Sequence, residues 1–440
     1  MPQNRSLGLF TCISLVAGCM IGTGVFMKPA IMASQAGNVA FVLLAWLVAG
    51  LLSYAGALTY AELCARMPAA GGEYAILKNT YGRFPAYLYG WMRFTIGAPG
   101  SAASYAVGAA TFLHVVIPYE NLGIRIWQMA VFFIVLFTLI NSITIFVSAS
   151  VQVTLTTIKI LSLAAIVIVL FLFTPATTAP SPPAAWPGMV PFAAALMAAL
   201  WAYDGWNNLP MLGGEVKNPQ RNLPLALAIG MGIVIAVYLV VNLAFFRVLS
   251  FPEVLAANPS LGSAAPPVAT AALAKSISGA SVKAVAILLV ISALGAMNGS
   301  ILASARVPYA MALDGVFFKP LARLSEKNAI PIISTVVQGG VAAILAMSGT
   351  FDQLTDSVVF ASWIFYGLTA GAIFKIRRMD PRGEQSAFRT PLYPILPGLF
   401  LLCSAAFIVY AVMATPYLTA LGLAVIAAGI PLYFYFRKSL

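Results

Sequence analysis

Two short stretches carry groups that a polar ligand would need. "GCMIGTGVF" places Gly18, Gly22 and Gly24 within seven residues of an otherwise apolar run. "LWAYDGWNNLPMLGG" interrupts a second apolar run with Asp204-Gly205 and then Pro210. Glycine weakens a helix, and proline removes a donor and clashes with the preceding turn. A helix broken there has free carbonyls at the end of its first half and free N–H groups at the start of its second. The carbonyl end suits an ammonium group and the N–H end suits a carboxylate. An amino acid carries both on one carbon. The expected carboxylate site is Gly22, Thr23 and Gly24, with the Thr23 hydroxyl as an added donor. The expected amine site is the backbone near Cys19, Met20, Trp201 and Ala202. Two other readings of the glycines compete. Gly18-x-x-x-Gly22 fits a helix-packing stripe, and a glycine cluster can cradle phosphate. The phosphate reading needs a βαβ context that is missing.

Composition says where these stretches sit. The chain has 440 residues, 61% hydrophobic and 8% charged, against about 25% charged in soluble domains. Apolar runs near the ~20 residues that cross a bilayer recur along it. Twelve spans are expected, near 8–30, 39–64, 85–116, 126–147, 150–173, 189–212, 224–249, 283–313, 331–348, 355–376, 392–413 and 415–436. The fold class is all-α and polytopic. With the N-terminus inside, most Lys and Arg fall on the cytoplasmic side. Lys28, Arg125, Arg247, Lys275 and Lys283 fall outside. That bias sets both termini in the cytoplasm. It also accounts for the net charge of +12 without a nucleic-acid partner. The first span is too long for a cleavable signal peptide. Cys12, Cys19, Cys64 and Cys403 lie in or at spans, so no disulfide framework is implied.

The broken spans are the first and the sixth. Matching interruptions in two halves point to a transporter built from inverted repeats. Repeat one would cover about 8–173, repeat two about 189–376, and two further helices about 392–436, all in one transmembrane domain. The proline-rich loop 174–191 reads as a semi-rigid outer connector. The outer link 247–283 has room for a surface helix. The charged stretch 374–391 reads as a solvated cytoplasmic loop.

Lys159 lies mid-span in "TLTTIKILSLAAIV". A buried intramembrane lysine is a functional candidate, although a long side chain can also snorkel to an interface. Asp204 is the one acid well inside a span. Glu62, Arg66, Glu73, Arg83 and Glu215 are placed to form cytoplasmic ion pairs, or to stay solvated. His114 stands alone, without partners for a metal site or a triad. "NGS" at 298–300 matches a glycosylation sequon inside a span. No metal motif or nucleophile–base pair is present. No cofactor is expected, and a membrane-embedded enzyme is disfavoured; an amino acid receptor or a channel is a further class.

The stretches "GCMIGTGVFMKPA", "AELCARMPAAGGEYAILKNTYGRFPAYLYGW", "LWAYDGWNNLPMLGGEVKNPQRNLPLALAIG", "ALGAMNGSILASARVPYAMALDG" and "FRTPLYPILP" resemble the amino acid–polyamine–organocation superfamily. Within it they are most similar to the L-type amino acid transporters and their bacterial relatives. "EVKNPQRNLP" is the most specific block. The resemblance implies a leucine-transporter-type five-plus-five fold with discontinuous helices 1 and 6, alternating access, and sodium-independent exchange of L-amino acids. It places the carboxylate-binding groups on Gly22, Thr23 and Gly24, the aromatic gate on Trp201, and the amine-facing backbone on Trp201 and Ala202. Asp204 and Gly205 belong to the same site, and Asn298 matches a polar eighth-span residue near it. Lys159 takes the place of a sodium ion by bonding to carbonyls of the unwound first span. Relatives with an acid at the Asp204 position include dibasic and Ser/Thr transporters, so the substrate stays open, and a structural or gating role for Asp204 is slightly favoured.

Small neutral amino acids (Ala, Ser, Thr, Cys) are the expected substrates. A neutral-plus-cationic exchanger and a proton-coupled symporter using Asp204, Glu62 or Glu73 are the alternatives. Eukaryotic members have a cysteine after the third span that links a heavy subunit. The matching loop "HVVIPYENLGIRI" has none. A chain working alone in a bacterial cytoplasmic membrane is the expectation.

Overall fold

The computed structural model describes residues 5–257, 267–276, 281–326, 328, 330–348, 351–380, 388–414 and 416–437. Among these the chain is helical, and its only extended pairings are the isolated bridges Leu7–Val216 and Ala70–Leu212.

The first run is divided into α1 (Leu9–Met20) and α2 (Gly24–Ala36), bent by 41° at the break. Gly37, at φ +69°, closes α2 in the left-handed conformation, which glycine adopts without a Cβ penalty. Asn38 then caps α3 (Val39–Arg66), its Oδ1 accepting from the Ala40 amide at 2.7 Å. A short helix α4 (Glu73–Tyr81) follows on the inner side. The third run begins as α5 (Arg83–Met92), passes through a π-helical turn at Arg93–Gly97, and continues as α6 (Ala98–Val116). That turn is not visible in the hydrophobic pattern. π-turns of this kind concentrate at functional sites.

Next come α7 (Ile126–Asn141) and α8 (Ile145–Leu172), the latter capped by Thr144 accepting from the Val147 amide at 3.0 Å. The sixth run is α9 (Met189–Ala202), a turn, and the four-residue α10 (Asn208–Met211). Pro219 starts the long α11 (Pro219–Val248). The link 247–283 holds α12 (Phe251–Ala256) and α13 (Val268–Ala274), and α13 is largely buried; 258–266 and 277–280 lie outside the described residues. The remaining helices are α14 (Ser281–Ser304), α15 (Arg306–Leu313), α16 (Ile332–Ser348), α17 (Phe351–Met379), α18 (Ile395–Ala414) and α19 (Pro416–Arg437). Within the charged stretch 374–391, residues 381–387 lie outside the description, and α17 runs three residues past the expected span end.

Among the described residues six helices are long and apolar enough to cross a membrane, and the bent α1–α2 pair makes a seventh candidate. The outward surface is rich in exposed Leu, Ile, Val and Phe, as on α8 and α18. That surface is stable against hydrocarbon and not against water. Polar groups point inward instead: Thr23, Glu62, Glu73, Arg93, Lys159, Asn298 and Arg306 are buried. α1 is central, packing against α8, α11 and α14. Gly18 allows this, because a Cβ there would come within 2.0 Å of Thr156 Oγ1. The helix-packing reading is therefore right for Gly18, whereas Gly22 and Gly24 lie at the break.

Candidate functional site

The break in the first run leaves donors unused. The Ile21 amide still reaches Ala17 O, and the Gly22 amide turns back to Met20 O at 2.7 Å. The amides of Phe26 and Met27 both donate to Thr23 O, at 3.1 and 3.2 Å. Between them, the amides of Thr23, Gly24 and Val25 donate to no group among the described residues. The Thr23 hydroxyl is buried and also has no partner there. Buried unbonded donors cost roughly 1–3 kcal/mol each. All four lie at the positive end of α2, where unpaired donors suit an anionic group.

The second break faces the first. Past Ala202 the chain turns, with the Asp204 amide on Trp201 O at 3.0 Å and the Asn208 amide on Gly205 O at 3.2 Å. Gly205 has φ +117°, and a Cβ on it would lie 3.1 Å from the Cys19 carbonyl. A Cβ on Gly24 would lie 2.7 Å from Ala202 Cβ and 3.1 Å from the Trp201 ring. The two breaks touch through bare backbone. Gly22 faces the ring of Tyr105, from α6, and Ala296, from α14. Trp201, Asp204 and Tyr105 keep accessible surface although they lie mid-bundle, so they border internal space.

Residues outside the two motifs tie the breaks together. The Tyr238 hydroxyl, on α11, contacts Met20 O at 2.7 Å and Ala202 O at 2.9 Å. It has one proton for two carbonyls. Met20 O also accepts the Gly22 amide, but each carbonyl has two lone pairs, so Ala202 O keeps one for another donor, as an ammonium group would be. The Tyr366 hydroxyl, on α17, donates to Asp204 Oδ1 at 2.7 Å. Asp204 is thus fixed to a helix outside both motifs.

Lys159 Nζ donates to Gly18 O at 2.8 Å and Ile21 O at 2.7 Å. The Ser292 hydroxyl, on α14, lies 2.9 Å from Gly22 O and 3.1 Å from Ile21 O. Snorkelling is ruled out by this geometry. The lysine enters because α14 has Gly295 opposite it; a Cβ there would come within 2.8 Å of Nζ.

Asn298 is placed differently from the expected ligand-facing role. Its Oδ1 accepts from Asn141 Nδ2 at 3.0 Å, and its Nδ2 donates to Gln152 Oε1 at 2.9 Å and Ser148 O at 3.2 Å. It anchors α14 to α7 and α8. Its neighbour Gly299 is the residue that meets the site, against Cys19 Sγ.

Contacts tie the start of the chain to the end of the sixth run. The amides of Ser6 and Leu7 donate to Glu215 O, at 2.9 and 3.0 Å, and Lys217 N donates to Leu7 O. Gly71 N reaches Met211 O at 3.1 Å. Glu215 forms a two-point pair with the buried Arg306, at 2.9 and 3.1 Å. Glu62 pairs with Arg66 at 2.9 Å and Arg377 at 2.6 Å, and Arg66 with Asp380 at 2.8 Å. Ion pairing thus holds for Glu62, Arg66 and Glu215, but Glu73 bonds to Asn207 instead. Lys28 Nζ lies 5.0 Å above the Trp201 ring centroid. Lys28 is buried.

The family model for amino acid permeases matches residues 7–435. The chain belongs to the amino acid permease family. This permease is 32% identical to the serine/threonine exchanger SteT of Bacillus subtilis (strain 168), over 99% of this chain and 97% of the relative. It is 29% identical to the human b(0,+)-type amino acid transporter 1, over 94% of this chain and 84% of that protein. Identity to the human cystine/glutamate transporter is 27%, over 98% and 85%. Most of each relative's length is matched, and the family model covers nearly the whole chain, so the permease is a multi-pass membrane transporter of the amino acid–polyamine–organocation superfamily.

Proposed function

We propose that this permease exchanges L-amino acids across the membrane by alternating access, without sodium. The observation that carries the reading is the set of unused donors at Thr23, Gly24 and Val25, facing carbonyls of Met20 and Ala202 that share one tyrosine proton. A carboxylate on the first set and an ammonium on the second satisfy both. The ammonium of Lys159 sits on the carbonyls of the unwound segment, where a coupling cation would otherwise bind, and so removes the need for one.

The fold we assign to this activity has twelve spans in a leucine-transporter-type arrangement. Repeats at about 8–173 and 189–376 carry the broken helices, and two helices at about 392–436 are added. Both termini face the cytoplasm of a bacterial cell, and the chain works as a monomer without a disulfide-linked heavy subunit. Trp201 closes the outer side of the site, and Lys28 over its ring holds it there. Cys19, Gly22, Gly205 and Gly299 supply the close backbone approach. Small neutral amino acids are the substrates, as the name of the serine/threonine exchanger suggests. A second reading, neutral plus cationic substrates, is favoured by the Asp204 carboxylate on the internal space.

Proteoliposomes decide the function. Labelled serine should enter vesicles preloaded with serine or alanine, with or without sodium, and should not enter empty ones. Uptake only in sodium, or filling of empty vesicles, sinks the exchange reading. Asp204→Asn should keep serine exchange if the carboxylate only braces the gate, and should lose arginine selectively if it holds a cationic side chain. Thr23→Ala should raise the KM for serine about tenfold with little change in maximal rate, because a hydrogen bond to a charged group is worth roughly 1.5–3 kcal/mol. An unchanged KM would remove Thr23 from the carboxylate site.

A further inference from the structure

Glu73 lies at the start of α4 and is completely buried. Its Oε1 accepts from Asn207 Nδ2, on the turn between α9 and α10, at 3.2 Å. Its Oε2 has no hydrogen-bond partner among the described residues. No ion pair compensates it. Arg93, on the π-helical turn, is the cation that acts on it most. Yet Arg93 spends a guanidinium nitrogen on Asn208 Oδ1 at 3.3 Å and leaves its Nε unbonded. A buried carboxylate in this setting has two ways to be stable: a full partner, or a proton.

The groups around it come from every neighbouring element. α3 brings Tyr60 and Cys64, α5 brings Tyr89, and α17 brings Tyr366. The α9–α10 turn brings Asp204, whose negative charge works against ionisation of Glu73. On α15, Asp314 is taken up by Lys78 and Tyr74, and Arg306 by Glu215. On α4 itself Lys78 is therefore committed to Asp314.

We propose that Glu73 is a proton-binding site: it takes a proton from the cytoplasm when the inner half of the permease shuts, and returns it when that half opens. Closure is what buries the carboxylate. The strand-like contacts Gly71–Met211 and Ala70–Leu212 lie directly before α4 and pin it against the end of the sixth run. Breaking them admits water to Glu73, which then ionises as an ordinary carboxylate. One proton moves from water to Glu73 Oε2 on closing, and back to water on opening.

Burial pushes the shut-state carboxyl up to about 7 from the ordinary 4.5, against the pull of Arg93. The sign follows from linkage. The shut form binds the proton more tightly, so it is favoured as pH falls from about 7 toward the ordinary value, and this advantage vanishes above about 7. This inference rests on the alternating-access reading for its two states, but its test uses no amino acid and so fails or succeeds separately from exchange.

The test is a reporter thiol at Leu212, which is buried at the inner seal. Leu212→Cys is made in a chain whose four native cysteines are replaced by alanine, and its maleimide reactivity is measured in detergent-purified protein. Rates are normalised to a fully exposed cysteine at each pH. With Glu73 intact, reactivity should fall roughly twentyfold from about pH 7.5 to about pH 5.5. In Glu73→Gln it should be low at both. In Asp204→Asn the slope should persist but move toward lower pH, since a negative charge that opposes ionisation of Glu73 is removed. A flat profile with Glu73 intact overturns the proposal, and so does an unchanged slope in Glu73→Gln. Should Glu73→Gln not run as a monodisperse peak, the profile with Glu73 intact still decides.

Discussion

Replacing Lys159 with methionine should abolish amino acid exchange while leaving a protein that still inserts and runs as a single species at lower melting temperature. The ammonium satisfies Gly18 O and Ile21 O at 2.8 and 2.7 Å. Methionine matches the length and fills the volume opposite Gly295, but it donates nothing. Two carbonyls would then face an apolar neighbour, at roughly 1–3 kcal/mol each. The Ser292 hydroxyl cannot cover both, because it has one proton and already contacts Gly22 O. Relief comes from rewinding residues 21–23 into helix, which consumes the amides of Thr23, Gly24 and Val25. The carboxylate pocket disappears with them. Lys159→Arg should not rescue exchange, since the guanidinium is larger and Gly295 leaves no room for it. The checks are counterflow of labelled serine and the melting curve of the purified protein. Full exchange in Lys159→Met would mean that the unwound segment is held open by something else.

The features legible in the sequence were those that violate the rule of their surroundings. Glycines at 18, 22 and 24 weaken a run that should be continuous, Asp204-Gly205 does the same in the sixth run, and Lys159 is a charge where charge is costly. Each marked its position without any neighbour being known. Tyr238, Tyr366, Tyr105 and Ser292 were not legible, because a tyrosine or serine on a long apolar helix looks the same whether it packs or bonds. Only the folded chain shows that Tyr238 reaches two carbonyls at once. The π-turn at Arg93–Gly97 leaves no trace in the hydrophobic pattern. Asn298 illustrates the opposite error. Its position near the site followed from its helix, but its side chain turns to α7 and α8, a rotation of one helical face that sequence does not fix. Counting charge does not show that the Lys28 side chain lies over the Trp201 ring. The Glu62 and Glu215 pairs were anticipated as a cluster, yet their partners Arg377 and Arg306 come from distant spans.

Gly205→Ala should cut transport sharply through one added methyl. At φ +117° an L side chain is strained, at roughly 1–3 kcal/mol for a residue held there. The new Cβ also falls 3.1 Å from the Cys19 carbonyl carbon and oxygen, closer than most Cβ contacts and against backbone. The strain has two outlets. The turn at 203–207 can shift, which moves Ala202 O away from the Tyr238 hydroxyl and Asp204 away from Tyr366. Or the first break can retreat, which opens the contact between the two runs. Either way the carbonyls meant for the ammonium lose their alignment with the amides meant for the carboxylate. A penalty of that size corresponds to about 5–150-fold in affinity or rate, and the upper end applies when binding and closure are both impaired. Serine exchange should fall about a hundredfold, carried by a higher KM and a lower maximal rate together. Gly232→Ala is the matched control: that glycine, on α11, has nothing within 4 Å of a built Cβ, so exchange should be unchanged. Equal behaviour of the two variants would show that the breaks do not need to touch for transport, and would remove the geometric basis for reading them as one site.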